Sequence, residues 1–179
     1  MTDIRIIDSR AFDIYLPQLA GLLIDAVDHG ASLGFLAPLS MDEAGLYWQG
    51  VRDGVVEGSR VVLVALRGGE LVGTVQLDLC RKPNGVNRAE VQKLLVHSAA
   101  RRSGVARRLM EAVEAQAVAL RRGLLYLDTE AGSGAEAFYQ ACGYTRLGEL
   151  PDYACSPGGE WRPTAIYFKR LFAPMALSA

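Results

Sequence analysis

The spacing of apolar residues changes several times along the chain, and each change marks an element. Ile4, Ile6 and Ile7 predict a short first strand over Ile4–Ile7. From Phe12 to His29, the residues Leu16, Leu19, Leu22, Leu23, Ala26 and Val27 recur every three or four positions. That is the stripe of an amphipathic helix, with Gly30 placed as its C-terminal cap. Ser40 and Glu43, three apart, form a capping box that opens a second helix. The segment His29-Gly30-Ala31-Ser32-Leu33-Gly34-Phe35 between them is too rich in glycine to be helical throughout. Val61–Leu66 and Leu71–Leu79 read as strands joined by the hairpin signal Arg67-Gly68-Gly69-Glu70. After the loop Arg81–Gly85, Arg88–Val96 reads as another strand. Gly104–Arg121 is an amphipathic helix with Val105, Leu109, Ala112, Val113 and Ala117 on one side, closed by Gly123. Leu124–Leu127 is a short buried strand and Ser133–Ala141 a helix ended by Gly143, while Tyr144–Leu150 and Ala165–Leu171 complete the sheet. The order β-α-α-β-β-β-α-β-α-β-β predicts an α/β fold whose mixed sheet is covered on both faces.

Composition narrows the picture further. The 179 residues favour one domain over 1–179, and a hydrophobic share of 50% is enough for a sizeable core. A net charge of −1 lacks the basic footprint of a nucleic-acid binder. Apolar runs are strand-length, short of the roughly 20 residues that span a membrane. The segment Met1-Thr2-Asp3-Ile4-Arg5 has no signal-peptide core, which predicts a cytoplasmic protein. Cys80, Cys142 and Cys155 lie far apart and only two histidines are present, so neither a disulfide framework nor a metal site is expected.

One segment carries most of the chemistry. The strand Val91-Gln92-Lys93-Leu94-Leu95-Val96 runs through His97–Ala100 and Arg101-Arg102-Ser103-Gly104-Val105-Ala106-Arg107 into a long helix. Backbone N–H groups at such a turn have no intrahelical partner, and the helix dipole adds partial positive charge. The result is a cradle suited to a pyrophosphate, with Gly104 and Ala106 sparing bulk and Arg101, Arg102 and Arg107 adding charge. An ordinary strand-to-helix turn with solvated arginines is the alternative reading. Neither G-x-x-x-x-G-K-[ST] nor G-x-G-x-x-G occurs, which removes the main support for a nucleoside triphosphate or a dinucleotide.

Arg101, Gly104 and Ala106, set as R-x-x-G-x-A after a strand, resemble the acyl-CoA signature of the GNAT N-acetyltransferase superfamily. Ala135, Phe138, Tyr139, Gly143 and Tyr144 resemble its second signature, A-x-x-F-Y-x-x-x-G-[FY], in the family's order. The element order is similar from end to end, so the resemblance implies the GNAT fold, a mostly antiparallel mixed sheet of about seven strands flanked by about four helices. Where the family often has asparagine, this chain has Gly132, which leaves Ser133 as the candidate for the polar contact to the pantetheine arm. Within the superfamily the chain looks most like the tabtoxin resistance acetyltransferases, through His29–Phe35, Lys82–Val96, Leu124–Tyr139 and Thr164–Lys169. That likeness implies acetyl-CoA as co-substrate and a small amino-acid-like amine, a toxin or antibiotic among them, as acceptor.

The resemblance implies direct attack of the amine on the thioester, which requires a base, a stabilised oxyanion and a fate for the thiolate. Glu90 sits where several GNAT enzymes place their base carboxylate; an ion pair with Arg88 or Lys93 is the plain alternative. By alternation Glu90, Gln92 and Leu94 share a face unless a bulge intervenes. Asp128 ends the short buried strand beside the cofactor strand, and serves either as a second carboxylate or as a helix cap with Thr129, Glu130 or Ser133. Were Glu90 and Asp128 to face one pocket, their repulsion would favour base function. Tyr139 matches the family's tyrosine near the CoA sulfur, with Phe138 beside it. A backbone N–H near Leu95 or Val96 is the expected oxyanion donor. His29, Ser32 and Phe35 in the glycine-rich loop are candidate acceptor contacts, and His97 is placed at the solvent or CoA rim. Asp152, Tyr153 and Trp161 lie in the loop Pro151–Pro163, expected to cover the acceptor pocket.

The expectation is therefore an N-acetyltransferase, monomer or homodimer, using no metal, nucleic acid or membrane. A protein or peptide N-acetyltransferase and a non-catalytic acyl-CoA sensor are the rivals, and a pure sensor has no need of Glu90, Asp128 and Tyr139 together.

Overall fold

A computed structural model describes residues 1–173; the last six positions of the expected domain 1–179 lie outside the described residues. The chain runs β1 (Thr2–Ile7), α1 (Ser9–Asp28), α2 (Met41–Val56), β2 (Arg60–Arg67), β3 (Glu70–Leu79), β4 (Arg88–Val96), α3 (Val105–Ala119), β5 (Leu124–Glu130), α4 (Gly134–Ala141), β6 (Thr145–Cys155) and β7 (Trp161–Arg170). This is the element order expected from the sequence. Asp8 caps α1 by accepting from the backbone N–H groups of Arg10 and Ala11. The capping box of Ser40 and Glu43 is formed on α2.

The seven strands make one sheet in the order β1-β2-β3-β4-β5-β7-β6. Only β4 and β5 pair in parallel. Successive residues of β2 explain the unbroken apolar run: Val62, Val64 and Leu66 pack with α1 and α2, while Leu63 and Ala65 pack with α3. A strand buried on both faces has no polar side to show. Two apolar clusters result, one on each face of the sheet.

The expected loop Pro151–Pro163 is a correction. Its ends belong to β6 and β7, and only 156–160 turn, closed by Ser156 N–H on Glu160 O at 2.8 Å. The prolines are tolerated because the ladder is interrupted there. Leu150 pairs with Thr164 and Ala154 with Arg162, so Pro163, which has no N–H to give, faces a bulge of three residues that includes Pro151.

Candidate active site

β4 and β5 run together only over Arg88–Glu90 and Leu124–Tyr126, and then part. β5 keeps its antiparallel pairing with β7 as far as Glu130. β4 is turned by a bulge: its pairing with β3 jumps from Gln76–Gln92 to Thr74–Leu95. Lys93, with φ of 49°, sits in that bulge. The bulge reverses the alternation, so Leu94 packs with the α3 cluster while Leu95 is buried beneath α1. The shared face expected for Glu90, Gln92 and Leu94 therefore stops at Gln92.

A cavity of about 530 Å³ opens between the parted strands. Its walls include Gly30–Gly34, Tyr47, Arg60, Glu90–Leu94, Asp128–Glu130, Ser133, Tyr139, Tyr153 and Arg162–Thr164. Glu90 enters from the last paired position of β4, beside Tyr126 of β5. Burial and then the Glu90 charge push the Tyr126 phenol up. Asp128 enters from the opposite wall, its Oδ2 3.0 Å from the Thr164 hydroxyl, which also lies 2.9 Å from Thr129 O. Asp128 caps no helix. The cap position of α4 belongs to Ser133, whose hydroxyl donates to Glu130 O at 2.7 Å.

The two carboxylates do not face each other alone, because Lys93 shares their cavity. It makes no ion pair with Glu90 within 4.0 Å, which corrects the plain reading of that pair. Its ammonium stands 5.4 Å from the centre of the Tyr47 ring. Burial pushes the Lys93 ammonium down and Asp128 holds it up; Arg60 and Glu90 add smaller effects of opposite sign. Arg60 is fixed in the wall by Gln76 (3.1 Å), Gln92 (2.6 Å) and Asp78 (3.0 Å).

Tyr139 closes the cavity on the α4 side. Its ring meets Phe138 at 5.5 Å and Tyr144 at 6.0 Å, and Phe138 packs against the α3 cluster. Burial, then Cys142 and Asp128, push the Tyr139 phenol well above its ordinary value. It keeps its proton throughout the neutral range.

At the far end of β4, Gly104 adopts φ of 82° and α3 begins at Val105. The first bond of the helix is Arg108 N–H to Gly104 O at 3.2 Å, so the N–H groups from Gly104 to Arg107 precede it. A Cβ on Gly104 would meet nothing within 4 Å, so the glycine serves the left-handed turn and the approach is open. Arg101, Arg102 and Arg107 are exposed, with Arg101 Nε 3.4 Å from Val96 O. Ser103 takes a hydrogen bond from Arg67 at 2.9 Å and donates to Ala100 O at 2.6 Å. Val105 is buried in the core and anchors the turn, and Ala106 is half-buried.

The candidate acceptor contacts divide. Ser32 lines the cavity and its hydroxyl reaches Cys155 O at 3.4 Å; Tyr153 also lines it. His29 is outside the lining, with Nδ1 bonded to Asp25 O at 2.7 Å. Phe35 stands behind the wall, edge-on to Tyr47 at 5.4 Å. Asp152 turns out on the β6 bulge and Trp161 is exposed, both outside the lining. His97 caps the turn after β4 through Ala99 N–H at 3.2 Å. Sequence reading missed Tyr47, Arg60, Arg162 and Thr164 in the walls, and took Lys93 only as a partner for Glu90. Among the described residues no three His, Cys, Asp or Glu side chains cluster as a metal site, and no helix is long and apolar enough to cross a membrane.

β4 thus leads from a cavity holding two carboxylates and a phenol towards a helix N-terminus that offers free N–H groups. Residues 28–144 match the acetyltransferase (GNAT) family, and the chain belongs to that family. It is an acetyltransferase of the GNAT fold. Solved structures agree in architecture. The ribosomal-protein-alanine N-acetyltransferase of Brucella melitensis is 23% identical with a TM-score of 0.79, over 94% of this chain and 99% of that one. The yncA protein of Salmonella typhimurium, solved with its cofactor acetyl-CoA, is 18% identical with a TM-score of 0.79, over 99% and 98%. Aminoglycoside 6'-acetyltransferase type Ii is 20% identical with a TM-score of 0.72, over 97% and 99%.

Proposed function

We propose that this chain, acting as one domain, transfers the acetyl group of acetyl-CoA to the amino group of a small amino-acid-like acceptor by direct attack. The observation that carries the reading is the joining of two features by one strand. β4 leads from Glu90 in the cavity to the open N–H groups of Gly104–Arg107 at the start of α3. The cradle fits a pyrophosphate: its N–H groups are unspent within the helix, its approach is open at Gly104, and Arg101, Arg102 and Arg107 surround it. Bound acetyl-CoA supplies the activated acetyl thioester.

The chain's own residues do the rest. Past Glu90, the side of β4 that faces β5 has no strand partner, so Leu94, Leu95 and Val96 present backbone groups to the pantetheine arm and the carbonyl oxygen. Glu90 takes the proton from the acceptor's ammonium, and Asp128, steadied by Thr164, holds that ammonium in line. Tyr139 stays protonated and orients the sulfur by donating a hydrogen bond; as the nitrogen bonds to the acetyl carbon and the carbon–sulfur bond breaks, the departing thiolate takes the nitrogen's second proton and leaves as the CoA thiol. Ser133 can still accept a hydrogen bond on its oxygen while donating to Glu130. The volume of about 530 Å³ lies in the range of small-ligand sites, which favours a small acceptor over a protein chain.

The test is thiol release from acetyl-CoA across β-lactam amino acids and dipeptides, free amino acids, aminoglycosides, polyamines and short peptides. Turnover of amino-acid-like acceptors supports the reading. Response to the toxin-like acceptor alone would extend the likeness to tabtoxin resistance into function. Turnover of peptides only would replace the reading with a peptide N-acetyltransferase, and tight acetyl-CoA binding with no turnover would leave the sensor.

A further inference from the structure

Among the cationic groups of the cavity, Lys93 stands apart, since Arg162 is paired with Glu160. Arg60 is held by Gln76, Gln92 and Asp78, and Asp128 is engaged by Thr164. Lys93 makes no hydrogen bond and no ion pair among the described residues, yet its side chain is half-buried in the cavity wall. An ammonium withdrawn from water without a partner is unfavourable. The backbone adds to this, since Lys93 holds φ of 49°, a left-handed conformation that is unfavourable for a residue with a Cβ. No carboxylate among the described residues comes within ion-pair distance of it, although Asp128 and, more weakly, Glu90 act on it across the cavity, and the face of Tyr47, itself braced by Phe35, stands at 5.4 Å. The bulge thus sends three unspent donors into the space where the acceptor must sit.

The cavity is bipolar. Glu90 and Asp128 suit the acceptor's ammonium, and the Lys93 ammonium repels it. A plain amine leaves Lys93 without a hydrogen-bonding partner, whereas an amine that also carries an anionic group satisfies both signs at once.

We infer that Lys93 is the specificity-determining residue of the acceptor site: it receives the carboxylate of an acceptor that bears an amino and a carboxylate group together. This rests on the acetyl-transfer reading above, and deepens it by naming the residue that selects the acceptor class. Lys93 takes no part in the proton transfers, so its loss acts on acceptor capture rather than on the chemical step.

The experiment compares wild type with Lys93→Met and Lys93→Arg on matched acceptors, L-lysine against cadaverine and L-phenylalanine against phenethylamine. Acetyl-CoA affinity and thermal unfolding are followed in parallel. In wild type the carboxylated member of each pair is preferred. In Lys93→Met its KM rises about 10- to 100-fold with kcat nearly kept, the decarboxylated amines are unaffected or improved, and Lys93→Arg restores part of the preference. Equal use of both members by wild type, or a Lys93→Met variant that retains the preference, overturns the inference. Calorimetric titration of the same four compounds without acetyl-CoA separates the two levels. If no acceptor is turned over but L-lysine or L-phenylalanine binds wild type and not Lys93→Met, the transfer reading fails and the anchor stands. If neither amino acid binds wild type, or if each binds Lys93→Met as well as wild type, the anchor is overturned whatever the transfer assay gives.

Discussion

Gly73 lies in β3 opposite Val96, with ordinary negative-side backbone geometry, so alanine there tests space alone. A Cβ at this position would lie 2.9 Å from the carbonyl oxygen of Leu95, 3.1 Å from Leu109 Cδ1 and 3.1 Å from Val105 Cγ1. The leucine and valine methyls can yield by a few tenths of an ångström. The carbonyl cannot, because it belongs to the paired backbone of β4. Overpacking of this kind costs about 1–3 kcal/mol, and the stiffer unfolded chain of alanine offsets roughly 0.4–1 kcal/mol. A net loss of about 1–2 kcal/mol lowers Tm by roughly 2–8 °C for a chain of this size. Two of the three contacts also carry the co-substrate site: Leu95 on the strand proposed to hold the pantetheine arm, and Val105 at the start of α3. Gly73→Ala should therefore weaken acetyl-CoA binding by roughly threefold or more, since small misplacements of a binding frame are expensive. The assay is thermal unfolding with calorimetric titration of acetyl-CoA. Gly50→Ala is the control: it lies inside α2, meets nothing within 4 Å, and should gain about 0.5–1 kcal/mol with unchanged affinity. Wild-type Tm and wild-type affinity in Gly73→Ala would refute the reasoning.

Glu90→Gln and Asp128→Asn should each lower kcat by about 10²- to 10⁴-fold for a base and by less for a positioning group, with acetyl-CoA affinity nearly kept; turnover within about twofold of wild type in both would place the base elsewhere. Arg102→Glu combined with Gly104→Glu sets negative charge and side-chain bulk at the cradle, and calorimetric affinity for acetyl-CoA should fall at least tenfold; an unchanged value removes the cradle assignment. Asp25 ties α1 to the turn after β4, accepting from Ser98 N–H at 2.8 Å and from its hydroxyl at 2.7 Å. Burial pushes the Asp25 carboxyl up, but the two Ser98 bonds, with His97 and His29 beside them, together outweigh burial and hold it below the usual carboxylate range. Its contribution is then present above the unfolded carboxylate pKa of about 4 and is lost as pH falls through the lower folded value. Asp25→Asn should be less stable than wild type at neutral pH, with the gap closing as pH falls below about 4; a gap that widens there contradicts the sign.

What could be read in the chain alone was what is local along it. The capping box of Ser40 and Glu43, the stripe of α1, and the passage from β4 through Gly104 into α3 each depend on residues within a few positions of one another. Periodicity and backbone preference therefore suffice for them, and the order of elements follows. The pyrophosphate cradle was legible for the same reason, since it consists of one turn and the first N–H groups of the helix that follows. Glu90 and Asp128 were legible as carboxylates on or beside two strands, although β5 runs past Asp128 to Glu130.

Their meeting in one cavity was decided by the sheet, which pairs β4 with β5 for three residues and then lets them part. Lys93 is the clearest case of what the sequence hid. By alternation it falls on the face opposite Glu90, and only the bulge, formed because β3 holds both Gln92 and Leu95 in register, brings it round to Tyr47. Arg60 likewise became a wall residue through partners 16, 18 and 32 positions away. The strand character of 151–155 and 161–163 also came from pairing, because prolines that oppose a continuous strand are harmless at a bulge. Register, bulges and the parting of strands are properties of two chain segments held together, and no single segment encodes them.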